Sequence, residues 1–527
     1  MSTDIVDLPK KKHSESIRCV TFNVNGIRTF FHFHPFSKFN QSLSKVFQLF
    51  DTDIITFQEL KTDQTSLIRW GQVDGYYSFI SIPITKKGYA GVGCWIRIPP
   101  PEDPLYNLIK VVKAEEGITG YLTIRNGKLD CRYRDCSDQG IGGYDSLGLK
   151  DETEALKLDS EGRCVLVELA CNIVVVSVYC PANSTQTEEG ELFRLKFLSV
   201  LFKRIRNLDT LGKKVILMGD LNVCKDLIDH AEILDKFNIE ITNDSQGSVI
   251  ERTYDEKVHD FIWAPDAPQR RMLNQILSDS LDSQLARTGI LVDSTRVYQG
   301  RDRLKIYTVW NTLKNARPIN YGSRIDYVFI SSKLKNQIKA ADILPKVLGS
   351  DHCPVYADIG IETLGGCDAV INKKISIPKF EARYKYKLQN HDILTMFHKN
   401  SSQLKSKMAN SRNSIAKISK PYPQTKVKKT VKSIDLFFTK DTCSKVNDIS
   451  SIHSTKENSD IIKEPKKAQK SAFKNIFGEI PLCNHQEKAI LKTSRTSSNP
   501  GKKFWACSKP QGESKDKNSS CGFFQWV

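Results

Sequence analysis

The 527-residue chain lacks any apolar run long enough to cross a bilayer, and its first residues lack the apolar stretch of a secretory signal. Those absences argue against a membrane or secreted protein and predict a soluble intracellular one. Its fourteen cysteines, Cys19, Cys94, Cys164, Cys180 and Cys224 among them, lack the regular spacing of a disulfide framework except near the C-terminus, which fits a reducing compartment. Internal repeats are also missing. A net positive charge is absent from residues 1–370: of the net +18, residues 371–527 hold 32 Lys and Arg against 12 Asp and Glu, leaving 46 against 48 for residues 1–370. A near-neutral body with a cationic tail suits a polyanion-binding protein whose chemistry uses its own carboxylates, although a solvated basic linker accounts for the charge alone equally well. Large apolar residues are scarce from about 364 to 472, so that stretch is expected to be a disordered basic linker. Residues 1–16 are expected to be a disordered basic N-terminus, in which Pro9-Lys10-Lys11-Lys12 has the composition of a nuclear import signal; a nuclear location is expected.

What is present between residues 17 and 363 is an alternation of strand-like and helical patterns, an α/β arrangement. Runs rich in β-branched residues predict strands at Ile17–Asn23, Asp53–Phe57, Tyr77–Ile82, Val92–Ile98, Cys164–Glu168, Ile173–Tyr179, Val215–Met218, Ile325–Ile330 and Pro354–Ile359. Glu191–Asn207 reads as a helix with Leu192, Leu195, Phe197, Leu198, Leu201 and Phe202 on one broad stripe. Residues 99–159, with a Pro-rich start and a Gly-rich segment at Gly140, Gly142 and Gly143, read as an inserted loop region.

Polar residues collect at the ends of these strands in six segments: Asn23-Val24-Asn25-Gly26, Gln58-Glu59, Tyr179-Cys180-Pro181-Ala182-Asn183, Gly219-Asp220-Leu221-Asn222, Arg324-Ile325-Asp326-Tyr327 and Ser350-Asp351-His352. Each pair or triplet alone is ordinary loop chemistry, but six in order at strand ends is not. Together they supply what phosphodiester hydrolysis needs. Glu59 and Asp351 offer the oxygen ligands that Mg²⁺ (or Mn²⁺) prefers, with an Asn carbonyl to complete a sparse site. Asp220 with Asn222, two residues apart, suits deprotonating or orienting water. His352, raised in pKa by Asp326, is a donor to the transition-state oxygens, and Tyr179 and Asn183 add further donors.

The order resembles the endonuclease/exonuclease/phosphatase superfamily, specifically the exonuclease III-type abasic-site endonucleases, over most of residues 17–361. The resemblance implies a four-layer sandwich of two β-sheets flanked by helices. It implies metal binding by Asn25, Glu59 and Asp351 with Asn23 nearby, water positioned by Asp220 and Asn222, and phosphate contacts from His352 with Asp326, assisted by Tyr179. Arg28 and Lys61 match basic positions that approach DNA, and Glu161-Gly162-Arg163 and Asp293-Ser294-Thr295-Arg296 echo family segments. Two departures stand out. An extra residue separates Pro181 from Asn183, and Val309 and Ser323 replace the aromatics expected to wall the abasic-sugar pocket, which leaves room for 3′-end cleaning. The insertion 99–159 fits the second eukaryotic abasic-endonuclease subgroup.

The tail holds Cys483, His485, Cys507 and Cys521, three thiolates and an imidazole suited to a tetrahedral structural zinc. Residues 473–527 have too little core to fold alone, so a metal staple gives them reason to be compact. The segment resembles the GRF-type zinc finger, with Lys502 where the name-giving Arg usually sits. Lys502, Lys503 and Phe504 then suit single-stranded DNA; Phe523 and Trp526 suit either a core or bases. Inside the basic linker, Ile434-Asp435-Leu436-Phe437-Phe438 resembles the box that binds the sliding clamp (proliferating-cell nuclear antigen), with Ile434, Phe437 and Phe438 as plugs and Val431 in place of the usual leading Gln. The expected function is a monomeric, Mg²⁺-dependent repair nuclease acting on abasic or 3′-damaged DNA. A superfamily phosphoesterase on a non-DNA substrate and a non-enzymatic DNA-binding scaffold are the alternatives.

Overall fold

The computed structural model describes residues 9–11, 15–84, 86, 88–126, 129–184, 186–365 and 376–388, and near the C-terminus 481–493, 503–507, 509 and 520–526. The first half of the body carries β1 (Ser16–Asn23), β2 (Ile54–Gln58), β3 (Tyr76–Ser81), β4 (Val92–Arg97), β5 (Val111–Glu116) and a hairpin of β6 (Thr123–Asn126) with β7 (Leu129–Arg132). The second half carries β8 (Cys164–Leu169), β9 (Ile173–Tyr179), β10 (Lys214–Asp220), β11 (Leu291–Asp293), the short pair β12 (Val309–Trp310) and β13 (Gly322–Ser323), then β14 (Asp326–Ser331), β15 (Ile338–Ile343) and β16 (Val355–Gly360). One six-stranded sheet runs β15-β16-β1-β2-β4-β3 and the other β11-β14-β10-β9-β8-β5.

The alternation of side chains along each strand gives both sheets two apolar faces. On the inner faces Ile17, Cys19, Ile54 and Cys94 meet Val165, Val175, Ile216 and Val328 in one shared core. The outer face of the second sheet (Val174, Val176, Leu217) packs under the helix Glu188–Thr210 through Phe197, Leu201, Ile205 and Leu208. The outer face of the first carries Phe22, Phe57 and Trp95 against Phe47 of the helix Leu43–Phe50. Each fully buried side chain of this kind contributes about 1.5–3 kcal/mol. The result is helix, sheet, sheet, helix: the four-layer sandwich that the resemblance implied.

Three expectations need correction. The long helix is capped by Thr187, whose side chain accepts from Gly190 N, and begins with Glu188, Glu189 and Glu191 in its first turn. Its buried stripe starts only at Phe197, and Leu192 is 62 % exposed. Residues 99–159 are not merely a loop: β5 forms the edge of the second sheet against β8, and Leu105, Ile109, Val111 and Ala114 enter the shared core. Strand β5 was hidden by its charge, since Glu115 is buried and paired with Arg204 of the long helix at 2.8 Å while also accepting from the Tyr144 hydroxyl. Removing one partner leaves the other charge buried alone. Arg204→Ala is therefore expected to cost about 3–5 kcal/mol, read as a fall in the denaturant midpoint; an unchanged midpoint would show that the pair does not hold the insertion in place.

The chain ends of the body also differ from expectation. Lys11 Nζ lies 2.8 Å from Asp53 Oδ2, and Pro9 O accepts from Arg18 Nη1 at 2.6 Å, so residues 9–11 lie against the body. The expected boundary at 363 falls short as well. Residues 376–388 cover the edge strand β3: Phe380 is buried against Phe79, the Tyr386 hydroxyl donates to Ile80 O at 2.8 Å, and Glu381 accepts from Ser78 N. Edge strands expose unpaired backbone groups, and this segment satisfies some of them. In the C-terminal part, β17 (Ile490–Thr493), β18 (Lys503–Ala506) and β19 (Phe524–Trp526) form a small antiparallel sheet. Ile434, Phe437, Phe438 and Lys502 lie outside the described residues. Among the described residues no helix is long and apolar enough to cross a membrane.

Candidate active site

Strand register does the positioning. At the end of β10, Asp220 stands opposite Tyr179 of β9 on one side and Asp326 of β14 on the other. That approach requires the preceding glycine: Gly219 has φ of +144°, and a Cβ there would sit 1.9 Å from Val178 O. In the first sheet Asn23 of β1 pairs with Gln58 of β2. Asn23 then joins the sheets, its Nδ2 donating to Glu59 Oε1 at 2.8 Å and to Asp220 Oδ2 at 2.9 Å. Asn25, Glu59, Lys61 and Asn222 all hold left-handed φ, between 46° and 51°. Non-glycine residues persist there only where surrounding contacts over-determine them, and such positions cluster at functional sites.

His352 bridges two carboxylates. Its Nδ1 is 2.8 Å from Asp326 Oδ2, and its Nε2 is 4.0 Å from Asp220 Oδ2. Burial works against the imidazolium, but the Asp326 and Asp220 carboxylates outweigh it and push the pKa up to about 10. Asp220 moves up to about 7, first because it is buried and then because Asp326 stands beside it. Glu59 goes the other way. Its burial is outweighed by hydrogen bonds from Lys61 and Asn23, which hold it below the usual range. The Tyr179 hydroxyl bonds to Glu59, and burial together with the Glu59 and Asp220 charges pushes it well up, so it is a donor and not a phenolate.

Glu59, Asp220 and His352 place ligand-type atoms within 4.8 Å of one another. A protonated His352 has no lone pair for a cation, so chemistry favours an oxygen-only set instead. The ammonium of Lys61 marks such a set: it lies 2.8 Å from Glu59 Oε2 and donates to Asn25 Oδ1. Asn25 Nδ2 in turn donates to Asp351 Oδ1 at 2.9 Å. Glu59 and Asn25 thus form a nest of oxygens that already holds one cation, with the Asp351 carboxylate joined to it through the Asn25 amide, and oxygen donors of this kind suit a hard divalent ion.

The remaining expected residues divide. Asn222 donates its backbone N–H to Asp220 Oδ1 and its Nδ2 to Cys180 O, both at 2.9 Å, so its amide braces the loop that carries Asp220. Asn183 does not join the group. It forms a capping turn, with Nδ2 on Thr187 O at 2.9 Å and Glu191 Oε2 at 3.3 Å, because the extra residue after Pro181 carries it to the start of the long helix. Arg28 is exposed and donates to Ser66 Oγ. Val309 and Ser323 face each other in β12–β13, and Val309 bridges His352 along the backbone. Sequence reading missed Tyr89, whose hydroxyl accepts from Arg163. The guanidinium lies over both the Tyr89 and Tyr179 rings, 5.3 and 4.9 Å from their centroids, and so fixes Tyr179. The glycines around Tyr89 (Gly88, Gly91) were the available signal for a tight loop.

In the C-terminal sheet Cys483, His485, Cys507 and Cys521 converge with all ligand atoms within 4.8 Å. Two of the contacts, Cys483 Sγ to His485 Nδ1 at 3.8 Å and Cys507 Sγ to His485 Nδ1 at 3.5 Å, match the edge of a zinc tetrahedron. Bonds of about 2.3 Å to sulfur and about 2.0 Å to nitrogen imply an edge of roughly 3.5 Å. Backbone hydrogen bonds from Cys521 and Lys509 bring Cys507 down to about 6, so it is a thiolate, the ligand form, at neutral pH. On one face of this sheet Phe504, Phe524 and Trp526 cluster with centroids 4.7–5.6 Å apart, next to the exposed Lys503. Phe524 and Trp526 are 51 % and 43 % exposed, so Trp526 is not a core residue.

Two sheets meeting at a carboxylate, amide and imidazole pocket, with an oxygen nest beside it, define a phosphoesterase-type site. The chain belongs to the endonuclease/exonuclease/phosphatase family, whose pattern matches residues 20–352, and residues 481–527 match the GRF zinc finger. It is similar to a protein of Saccharomyces cerevisiae named DNA-(apurinic or apyrimidinic site) endonuclease 2, 56 % identical over all of both chains. The human protein of the same name is 25 % identical, covering 97 % of this chain and 99 % of that one. The crystal structure of the Xenopus laevis APE2 catalytic domain superposes with a TM-score of 0.51 at 26 % identity, covering 70 % of this chain and 97 % of that one.

Proposed function

We propose that this protein is a nuclear DNA-repair nuclease that hydrolyses the phosphodiester 5′ to abasic sites and removes 3′-blocking groups or trims 3′ ends, with Mg²⁺ as its cation. The observation that carries the reading is the Asn23 link, which sets Glu59 of one sheet and Asp220 of the other around one point, with His352 opposite. Glu59, Asn25 and Asp351 hold the divalent ion, which when bound neutralises the phosphate. Asp220, braced by Asn222, receives the proton of the attacking water. His352, oriented by Asp326, and Tyr179 donate to the phosphate oxygens. Arg28 and Lys61 meet the DNA backbone. In the finger, Lys503 and Phe504 suit phosphates and bases of a single strand. Clamp binding through Ile434, Phe437 and Phe438, and a monomeric state, belong to the same proposal.

A duplex carrying tetrahydrofuran (an abasic analogue), assayed beside an inositol polyphosphate, tests the substrate: cleavage of the duplex alone is expected, and turnover of the inositol phosphate alone would reverse the reading. Asp326→Asn tests the imidazolium. With the carboxylate in place His352 stays protonated through neutral pH. Without it the pKa falls, so the variant is expected to lose activity progressively above about pH 7, where the parent, with Asp220 losing its proton near 7, does not fall. A pH–rate profile of unchanged shape would remove His352 from the proton account.

A further inference from the structure

Asp351 and His352 are neighbours on one loop, and the backbone there sets the place of both side chains. Three consecutive carbonyls of that loop are held. Trp310 N donates to Asp351 O at 3.1 Å. Arg317 takes the carbonyl on either side, its Nη1 donating to Ser350 O at 2.8 Å and to His352 O at 3.2 Å. Its Nη2 donates to Val347 O at 2.7 Å and to Pro345 O at 3.0 Å. One guanidinium thus gathers four carbonyls of residues 345–352, and it lies over the Trp310 ring, 4.5 Å from the centroid.

These acceptors are all neutral backbone oxygens, although the group that holds them is a cation. Burial pulls its pKa below the ordinary value, opposed in part by the nearby Cys353 and Asp351. Arginine suits the task because its planar fork fixes angles as well as distances, which an ammonium on a flexible stem does not. It reaches the site from a loop whose residues 311–315 are exposed. The Asp351 side chain is held separately: its Oδ1 accepts from Asn25 Nδ2 at 2.9 Å and from Ser350 Oγ at 3.1 Å. Those bonds fix the carboxylate only if the backbone that carries it is fixed too, and Arg317 fixes the backbone.

We propose that Arg317 is a positioning residue for the hydrolysis: by gripping the carbonyls on both sides of Asp351, it sets the Asp351 carboxylate beside the oxygen nest and the His352 imidazole beside Asp220 together. It works through the backbone of these residues and not as a ligand. The inference rests on the nuclease reading above, in which Asp351 helps to hold the divalent ion, and it extends that machinery to the loop that carries Arg317. Removing an outer residue that orients a metal-binding group typically changes metal affinity or activity by about 10–100-fold.

The test uses the full-length protein and reads Mn²⁺ binding without substrate, by electron paramagnetic resonance, beside cleavage of the tetrahydrofuran duplex. The relevant Mn²⁺ site is the one that Glu59→Gln weakens. Arg317→Ala is expected to weaken that site by about tenfold or more, and to lower kcat at saturating Mg²⁺ while KM for the duplex stays level. Arg317→Lys keeps the charge but not the fork, so it is expected to share most of both losses, and it decides the matter if Arg317→Ala does not fold. Arg206 is the control for loop bracing alone: it holds the carbonyls of Thr288 and Gln275 from the long helix, and Arg206→Ala is expected to leave Mn²⁺ affinity unchanged. Parental Mn²⁺ affinity or parental kcat in the Arg317 variants, or an equal loss in Arg206→Ala, overturns the inference and leaves the nuclease reading intact. A parent without a Mn²⁺ site sensitive to Glu59→Gln sinks the reading of the nest, and this inference with it.

Discussion

Asp220→Asn is expected to lower Mg²⁺-dependent cleavage of a tetrahydrofuran duplex by about 10²–10⁴-fold while leaving duplex binding intact. The substitution is nearly isosteric. Its amide oxygen still accepts from Asn23 Nδ2 or from Asn222 N, so the braces at 2.9 Å that hold the loop keep an acceptor. What it removes is the group that takes water's proton. It also removes a negative charge from a pocket that holds Glu59 and Asp326, so an anionic substrate is repelled less, not more. Binding and cleavage should therefore separate in gel-shift and single-turnover assays. Equal losses of both would mean that Asp220 shapes the site without taking part in the reaction, and undiminished cleavage would remove it from the mechanism.

Cys507→Ala is expected to abolish zinc binding and, with it, the order of the C-terminal sheet. That segment has little apolar core of its own: among its described residues Cys483, Ala489, Trp505 and Cys507 are the buried apolar ones. Structural zinc supplies about 10–16 kcal/mol to small modules of this kind, far more than such a core yields. Metal analysis of the full-length variant should find the bound zinc gone, and affinity for a single strand should fall by more than tenfold, since each stacked base is worth about 1–3 kcal/mol and the platform of Phe504, Phe524 and Trp526 would be lost. Incision of the tetrahydrofuran duplex should persist. A variant that keeps a full equivalent of zinc would show that the four residues do not form the site.

Much of this was legible from local sequence. Strands β1, β2, β4, β9 and β10 carry runs such as Ile-Val-Val-Val at 173–176, whose β-branched side chains suit a sheet buried on both faces, and their observed limits fall within two residues of expectation. Strand β15 was not visible, because Ile-Lys-Ala-Ala-Asp-Ile lacks that composition and is a strand only by pairing with β16. Strand β5 was masked by a charge pair that only the fold completes. Residues 376–388 read as linker because their few apolar groups, chiefly Phe380, gain a partner only when β3 is next to them. At the site, residue types and order pointed to Glu59, Asp220, Asp326 and His352, but not to Asn23 as the link between the sheets, nor to Asn183 turning away.

The most direct measurement is the cleavage rate of the tetrahydrofuran duplex against Mg²⁺ concentration, for full-length protein freed of Mg²⁺ and for its Glu59→Gln variant. No cleavage before addition is expected, then saturation, with the variant needing at least tenfold more Mg²⁺ because it loses the one carboxylate that Lys61 and Asn23 hold ionised in the nest. Full activity without a divalent ion, or superimposable curves for the two proteins, would contradict the account.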